Sequence, residues 1–352
     1  MKERKPTAFY VFISLALCAS IAISALTYYS QKKTSDAINQ MMGAVEDVNQ
    51  EDDVTIAGRY VIKSTLPISD AYISGDTSAL SDADKETLDM AKAVLDEIIE
   101  PNMSDYEKEK AVYTWLTSKL TNNTSILTVI PEMNNENDNP HDVLKYHSAV
   151  CVGYATTFRL FMQMMKIECK VVHSTDLTHT WDLVKLDDGW YHTDCYFDNP
   201  NSTFRNFNMD DNHCVMNHDW TREYFPAAKG QKYNYIFSIS EKLDSIYDIP
   251  EWLTKAVIEK KPVISCTFKR EITPETEKDA QYLVNQLCDM MNSYETFSVS
   301  YEWMQNENKE YILSFYIDTN IDNYEPDEKT REKLDEAVNN AIDKFNEEIA
   351  VG

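Results

Sequence analysis

The chain predicts an α+β fold behind an N-terminal membrane anchor. Three observations predict it. Apolar stripes of helical spacing fill residues 82–120 and return after Cys151, strand-like runs cluster between Glu168 and Phe197, and one long uncharged stretch stands alone at the N-terminus.

The N-terminus reads Lys2-Glu3-Arg4-Lys5, and from Thr7 to Tyr29 no charge appears. Those 23 residues, rich in Ala, Ile and Leu, are enough to cross a hydrocarbon core of ~30 Å as a helix. Lys32 and Lys33 close the run. The basic head stays cytoplasmic and places the rest of the chain outside. A cleaved signal peptide is the rival, with Ala22, Ser24 and Ala25 as processing sites, but the apolar run is long for one. Residues 1–33 are therefore read as head and anchor, and 34–80 as a polar stalk with a short apolar stretch at Tyr60-Val61-Ile62.

Ser81-Asp82-Ala83-Asp84 is shaped like a capping box, and behind it Leu88, Ala91, Leu95 and Ile98 share a face. They predict a helix over 82–100, ended by Pro101. Ser104-Asp105-Tyr106-Glu107 opens a second helix over 105–120, with Val112, Trp115, Leu116 and Leu120 inward. Residues 121–140 hold Pro131 and Pro140 and read as a long loop; its apolar knot (Ile126, Leu127, Val129, Ile130) makes it a candidate cover for a cleft. A helix headed by Cys151 follows, with Tyr154, Phe158, Phe161, Met162 and Met165 as its core stripe. Strands are expected at Glu168–Ser174, Thr180–Leu186 and Trp190–Phe197. Beyond about 230 come a helix at 251–261, a strand at 262–268, a helix at 273–293, alternating strands around Phe297–Trp303 and Tyr311–Ile317, and a last helix carrying Leu334, Val338, Ile342, Phe345 and Ile349. The divisions are thus 81–228 for one domain and 229–352 for a small α/β unit without histidine.

Composition narrows the function. Thirty-three Lys and Arg face 59 Asp and Glu, a net charge of −26, which disfavours nucleic acid. Beyond residue 33 the balance is 28 against 58, the surface of a solvated domain whose partners are neutral or cationic. The seven glycines are never within six residues of one another, so neither a P-loop nor a dinucleotide fingerprint is present. HExxH and GxSxG are absent as well. The cysteines (18, 151, 169, 195, 214, 266, 288) contain no CxxC and form no evident disulfide framework. His213, Cys214 and His218 carry zinc-type donors without a convincingly spaced fourth ligand, so no metal is assigned.

All seven histidines fall between His141 and His218. Within that stretch Cys151 begins a helix, His179 opens a strand and Asp194 lies on the next strand. A helix N-terminus favours a thiolate at its first residue. An imidazole beside the sulfur takes its proton and returns it to the leaving group. A carboxylate on the far ring nitrogen sets the tautomer. A hairpin turn at Asp187-Asp188 makes Asp194 the diagonal neighbour of His179, at ~7–8 Å; a turn at Asp188-Gly189, which turn chemistry prefers, sets them one diagonal further apart.

Three blocks in order, Cys151-Val152-Gly153-Tyr154-Ala155, His179-Thr180-Trp181 and Trp190-Tyr191-His192-Thr193-Asp194, resemble the transglutaminase-like superfamily over about residues 84–220. Ala149 departs from the glycine that many members carry two residues before the cysteine. The resemblance implies a papain-like core of helices on an antiparallel sheet, and cysteine-dependent acyl transfer on amide substrates. The acceptor is an amine (cross-linking) or water (deamidation or proteolysis). It implies Cys151, His179 and Asp194 as catalytic residues, with Trp181, Trp190 and Tyr154 as cleft residues. The expected partners are a protein or peptide substrate and, through the N-terminal helix, the membrane; no cofactor and no nucleic acid are expected. The alternative is a catalytically idle binding module on the same fold.

Overall fold

The computed structural model describes residues 54–56, 60–122, 139–176, 178–187, 189–199, 203–269, 272–293 and 297–318, with single helical positions between 328 and 343. The chain divides into two units, 1–64 and 65–352. In the first, β1 (Val54–Ile56) and β2 (Tyr60–Ile62) pair antiparallel. The expected anchor, most of the 121–140 loop and most of the last helix lie outside the described residues. Among the described residues no helix is long and apolar enough to cross a membrane.

The second unit begins with a helix that the sequence reading did not anticipate, α1 (Leu66–Ser74). Pro67 sits in its first turn and Gly75, at φ 77°, ends it in the left-handed region that favours glycine. Next come α2 (Asp82–Ile98) and α3 (Asp105–Lys119), both within a few residues of expectation. Ser104 and Glu107 form a complete capping box at the head of α3. β3 (Thr121–Asn122) leads into the 121–140 loop, α4 (Pro140–Tyr146) follows it, and β3 pairs in parallel with β4 (Ser148–Ala149).

The centre of this unit is α5 (Cys151–Met164), where every side chain except Gln163 is buried. It packs against α1, α3 and α4 and against the sheet. The sheet is an antiparallel meander of β5 (Cys169–His173), β6 (Thr180–Leu186) and β7 (Gly189–Thr193). Leu186 pairs with Gly189, the register that sets Asp194 diagonal to His179. The third strand was expected to run to Phe197 but ends at Thr193. The reason is local: the Asp194 carboxylate accepts the backbone N–H groups of Tyr196 (2.8 Å) and Phe197 (3.2 Å), which bends the chain out of the strand. Short helices α6 (Asp211–Cys214) and α7 (Tyr235–Ser238) follow.

A four-stranded sheet closes the chain in the order β10-β11-β9-β8. Its strands are β8 (Glu241–Leu243), β9 (Val263–Phe268), β10 (Ser298–Gln305) and β11 (Tyr311–Asp318). Helices α8 (Ile249–Ile258) and α9 (Pro274–Asn292) supply Leu253, Val257, Leu283 and Leu287 to an apolar cluster with Phe315 and Ile317. That cluster is separate from the one built on α5 and β7.

Candidate active site

Three turns bring the site together. Val150, the residue before α5, supplies no side-chain cap. The N–H of Val152, in the first turn of the helix, acts on the Cys151 sulfur. The Thr180 backbone acts on the same sulfur. Cys151 thus lies against the residue that follows His179.

The β5–β6 connection holds His179. Ser174 Oγ accepts the His179 backbone N–H at 2.9 Å, and the Ser174 N–H returns a bond to the His179 carbonyl at 2.9 Å. The imidazole is stacked on Phe197, with ring centroids 4.2 Å apart and planes 7° apart, and Trp181 lies on a near-parallel plane at 5.7 Å. His179 Nε2 meets Asp194 Oδ2 at 2.5 Å. The pairing of Leu186 with Gly189 is what permits this contact.

Asp194 is 1% exposed, and both of its oxygens are engaged. Oδ1 takes the two backbone N–H groups at the end of β7. Oδ2 takes His179 and also His218, whose Nε2 is 2.9 Å away. Burial alone would raise this carboxyl, but the two histidines outweigh it and hold the group well below the usual carboxylate range.

Cys151 behaves differently from the sequence expectation. The helix start and the Thr180 and Val152 groups do favour a thiolate, but complete burial outweighs them and pushes the thiol up. Burial likewise raises Cys169, Cys195 and Cys214.

The other expected site residues divide. Trp181 reaches the site, and its Nε1 donates to His192 Nδ1 at 3.0 Å. Tyr154 is buried one turn along α5, edge-on to Tyr196, which in turn lies against His179. Trp190 is at the far end of β7, where its ring contacts are the ammonium groups of Lys170 and Lys185. His213, Cys214 and His218 do not converge on one another. His213 faces Glu302 and Asn234, Cys214 is buried in an apolar cluster, and His218 is on Asp194. Sequence reasoning missed the last of these, because no motif ties a loop residue to a carboxylate 24 positions upstream.

His179, Asp194 and His218 also present three metal-type donor atoms within 4.8 Å of one another. A zinc ion ~2.0–2.1 Å from each would spread tetrahedral donors to about 3.3 Å. Contacts of 2.5 and 2.9 Å on one oxygen instead fit hydrogen bonds to a carboxylate. A cavity of 380 Å³ opens beside Phe197, between Asp198, Arg205 and Asn217 on one side and Ser298, Ser300 and Tyr316 of β10 and β11 on the other.

Residues 92–195 match the family model of the transglutaminase-like superfamily. The chain carries a transglutaminase-like domain. The matched residues contain Cys151, His179 and Asp194 and stop short of His218. A search of curated proteins found no match.

Proposed function

We propose that this transglutaminase-like domain is a cysteine-dependent acyltransferase or hydrolase acting on amide bonds. One observation carries the reading: Asp194 occupies Nε2 of His179, which leaves Nδ1 for the sulfur that lies against Thr180. Cys151 is the nucleophile, His179 the base and Asp194 the group that orients the imidazole.

The Cys151 proton passes to His179 Nδ1 as the sulfur attacks the substrate carbonyl carbon. The negative charge on the carbonyl oxygen falls at the start of α5, where backbone N–H groups and the helix dipole favour an anion. Collapse breaks the C–N bond, and His179 returns the proton to the departing nitrogen. A thioester remains on Cys151. Water or a primary amine then attacks it, giving deamidation or peptide cleavage in the first case and a cross-link in the second. Substrate entry displaces Phe197 from the His179 ring, since Cys151 has no exposure in the resting state. The groove beside Phe197 is polar and half of its wall comes from the C-terminal strands, which suits a peptide chain.

The basic head and uncharged run at the N-terminus support a membrane-anchored domain held outside the cytoplasm. Protease added to intact cells then removes the bulk of the chain; digestion only after lysis rejects that topology.

Full burial of Cys151 favours a second reading, a catalytically idle binding module. One experiment separates the two. The full-length chain and its Cys151→Ala variant are incubated with glutamine- and lysine-containing proteins. Ammonia release, isopeptide bonds and new N-termini are then followed by mass spectrometry. A product made only by the wild type supports the enzyme and names its acceptor. Equal outcomes for the two chains leave the binding module.

A further inference from the structure

His218 is the second histidine on Asp194, and its other side is tied to a chain of amides whose orientation is set by a buried carboxylate, Asp198. Asp198 is buried, and four donors converge on it: the Asn206 backbone N–H (2.9 Å), Asn206 Nδ2 (3.0 Å), Thr203 Oγ1 (3.0 Å) and the Tyr113 hydroxyl. Asn206 therefore points its amide nitrogen at Asp198 and its Oδ1 away. That Oδ1 accepts Asn217 Nδ2 at 2.8 Å, which leaves Asn217 Oδ1 facing His218 Nδ1 at 2.6 Å. An amide oxygen only accepts, so His218 Nδ1 carries a proton. Its Nε2 faces the Asp194 carboxylate oxygen at 2.9 Å, which also only accepts. Two ring nitrogens on two acceptors is the donor pattern of an imidazolium.

The neighbours agree with that charge. Facing the His218 ring are Asp194 and His179 from the ends of β7 and β6. His192 of β7 is kept neutral: its Nδ1 accepts from Trp181, its Nε2 donates to Asp211 at 3.1 Å, and burial lowers it. Arg222 lies on the outer side of Asp211 at 3.8 Å. The aromatic faces of Trp181 and Phe197 are 4.7 and 5.1 Å from the His218 ring, an environment that accommodates a cation.

We propose that His218 is a positioning residue: as an imidazolium it balances Asp194, and so leaves His179 neutral with Nδ1 free to take the Cys151 proton. The inference rests on the triad reading above and assigns the two histidines different tasks. His179 moves the proton. His218 holds the carboxylate that both share and supplies its counter-charge. Without that counter-charge, the undivided field of Asp194 would keep His179 protonated and unable to act as a base.

The test uses the full-length chain with ¹⁵N-labelled histidine. Long-range ¹H–¹⁵N spectra between pH 5 and 9 report the protonation of each ring nitrogen, and single His→Gln variants assign the signals. At pH 7 His218 is expected to show both nitrogens protonated, and His179 a protonated Nε2 with a bare Nδ1. A neutral His218 beside a doubly protonated His179 overturns the proposal. His218→Gln keeps a donor for Asp194 Oδ2 and removes the charge. In that variant the His179 titration moves up by at least about half a pH unit. The acid limb of kcat/KM moves with it, and KM stays within about twofold. An unmoved His179 titration in His218→Gln reduces His218 to a structural role and also overturns the proposal. The wild-type spectrum is decisive by itself where the variant fails to fold. It is equally decisive where no amide substrate is turned over, so failure of the triad reading and failure of this proposal are seen separately.

Discussion

In the proposed mechanism Cys151 and His179 act on one proton, so their losses are not expected to add. Cys151→Ala is expected to reduce turnover to the uncatalysed background while the circular dichroism spectrum stays native, because one sulfur is removed from an otherwise packed helix start. His179→Ala falls to within about tenfold of the same floor. Asp194→Asn keeps the shape but removes the charge that two histidines share, and a loss of about 10²–10⁴-fold in kcat is expected. Equal activity of wild type and Cys151→Ala on every amide substrate rejects the assignment. A second buried acid gives a stability prediction. Glu109 of α3 is fully buried, and burial pushes it up to about 8 against bonds from Asn208 (3.0 Å) and Thr193 (3.3 Å). The folded state then binds a proton that the unfolded state releases near pH ~4.3. Its contribution is present below that value and fades as pH rises through about 8. Glu109→Gln, neutral at every pH, should gain thermal stability relative to wild type on going from pH 5 to pH 8. A stability difference independent of pH contradicts the buried-acid account.

At the scale of the element, β7 is the strand on which the site is strung, and its packing constrains a distant loop. Tyr191 of β7 is fully buried, and its hydroxyl accepts the Tyr233 backbone N–H at 3.3 Å. Gly230 lies so close to the Tyr191 ring that an added Cβ would stand 2.3 Å from it. Both partners are held, the ring by the core and the loop by the Asp211 N–H bond to the Ala228 carbonyl at 2.8 Å. Gly230→Ala is therefore expected to cost about 1–3 kcal/mol, the usual penalty of overpacking. It is read as a lower urea midpoint with an unchanged slope. A midpoint equal to that of the wild type shows that the loop yields.

For the molecule as a whole, an ion pair between a half-exposed arginine and a buried glutamate joins the loop after the site to the C-terminal sheet. Arg205 grips Glu302 of β10 through Nε (3.3 Å) and Nη2 (3.1 Å), and the Tyr316 hydroxyl donates to the same carboxylate at 3.0 Å. Burial raises Glu302, but His213 and Arg205 outweigh it and bring the group down to about 2. Its stabilisation is fully present above the unfolded value of ~4.3 and is lost as pH falls through about 2. Glu302→Gln should lower the free energy of unfolding by on the order of 3 kcal/mol at pH 7, with the gap closing as pH approaches 2. Chemical unfolding at pH 7, 4 and 2.5 measures this. A gap of constant size rejects the ion pair as its source.

The helices at 82–98 and 105–119 were legible because their signals are local: serine caps, first-turn acids and apolar residues four apart report themselves within one segment. The order of Cys151, His179 and Asp194 was legible because each stands in a short block of sequence, and all three fall within the stretch that matches the family model. The helix at 66–74 escaped notice; its apolar content is not confined to one stripe, and its first turn contains a proline. Two further matters were decided only in three dimensions. Charge and burial act through neighbours from many parts of the chain, so the sequence showed the helix start that favours a thiolate but not the complete burial that outweighs it. The end of β7 and the place of the second histidine depend on one carboxylate, Asp194. Its first oxygen turns the chain after β7 and its second gathers His179 and His218 from separate loops. By itself the sequence determined which residue types stand in which order; the tertiary structure decided which of them share a hydrogen bond, because hydrogen bonds act over about 3 Å and residues far apart in sequence reach that distance only after folding.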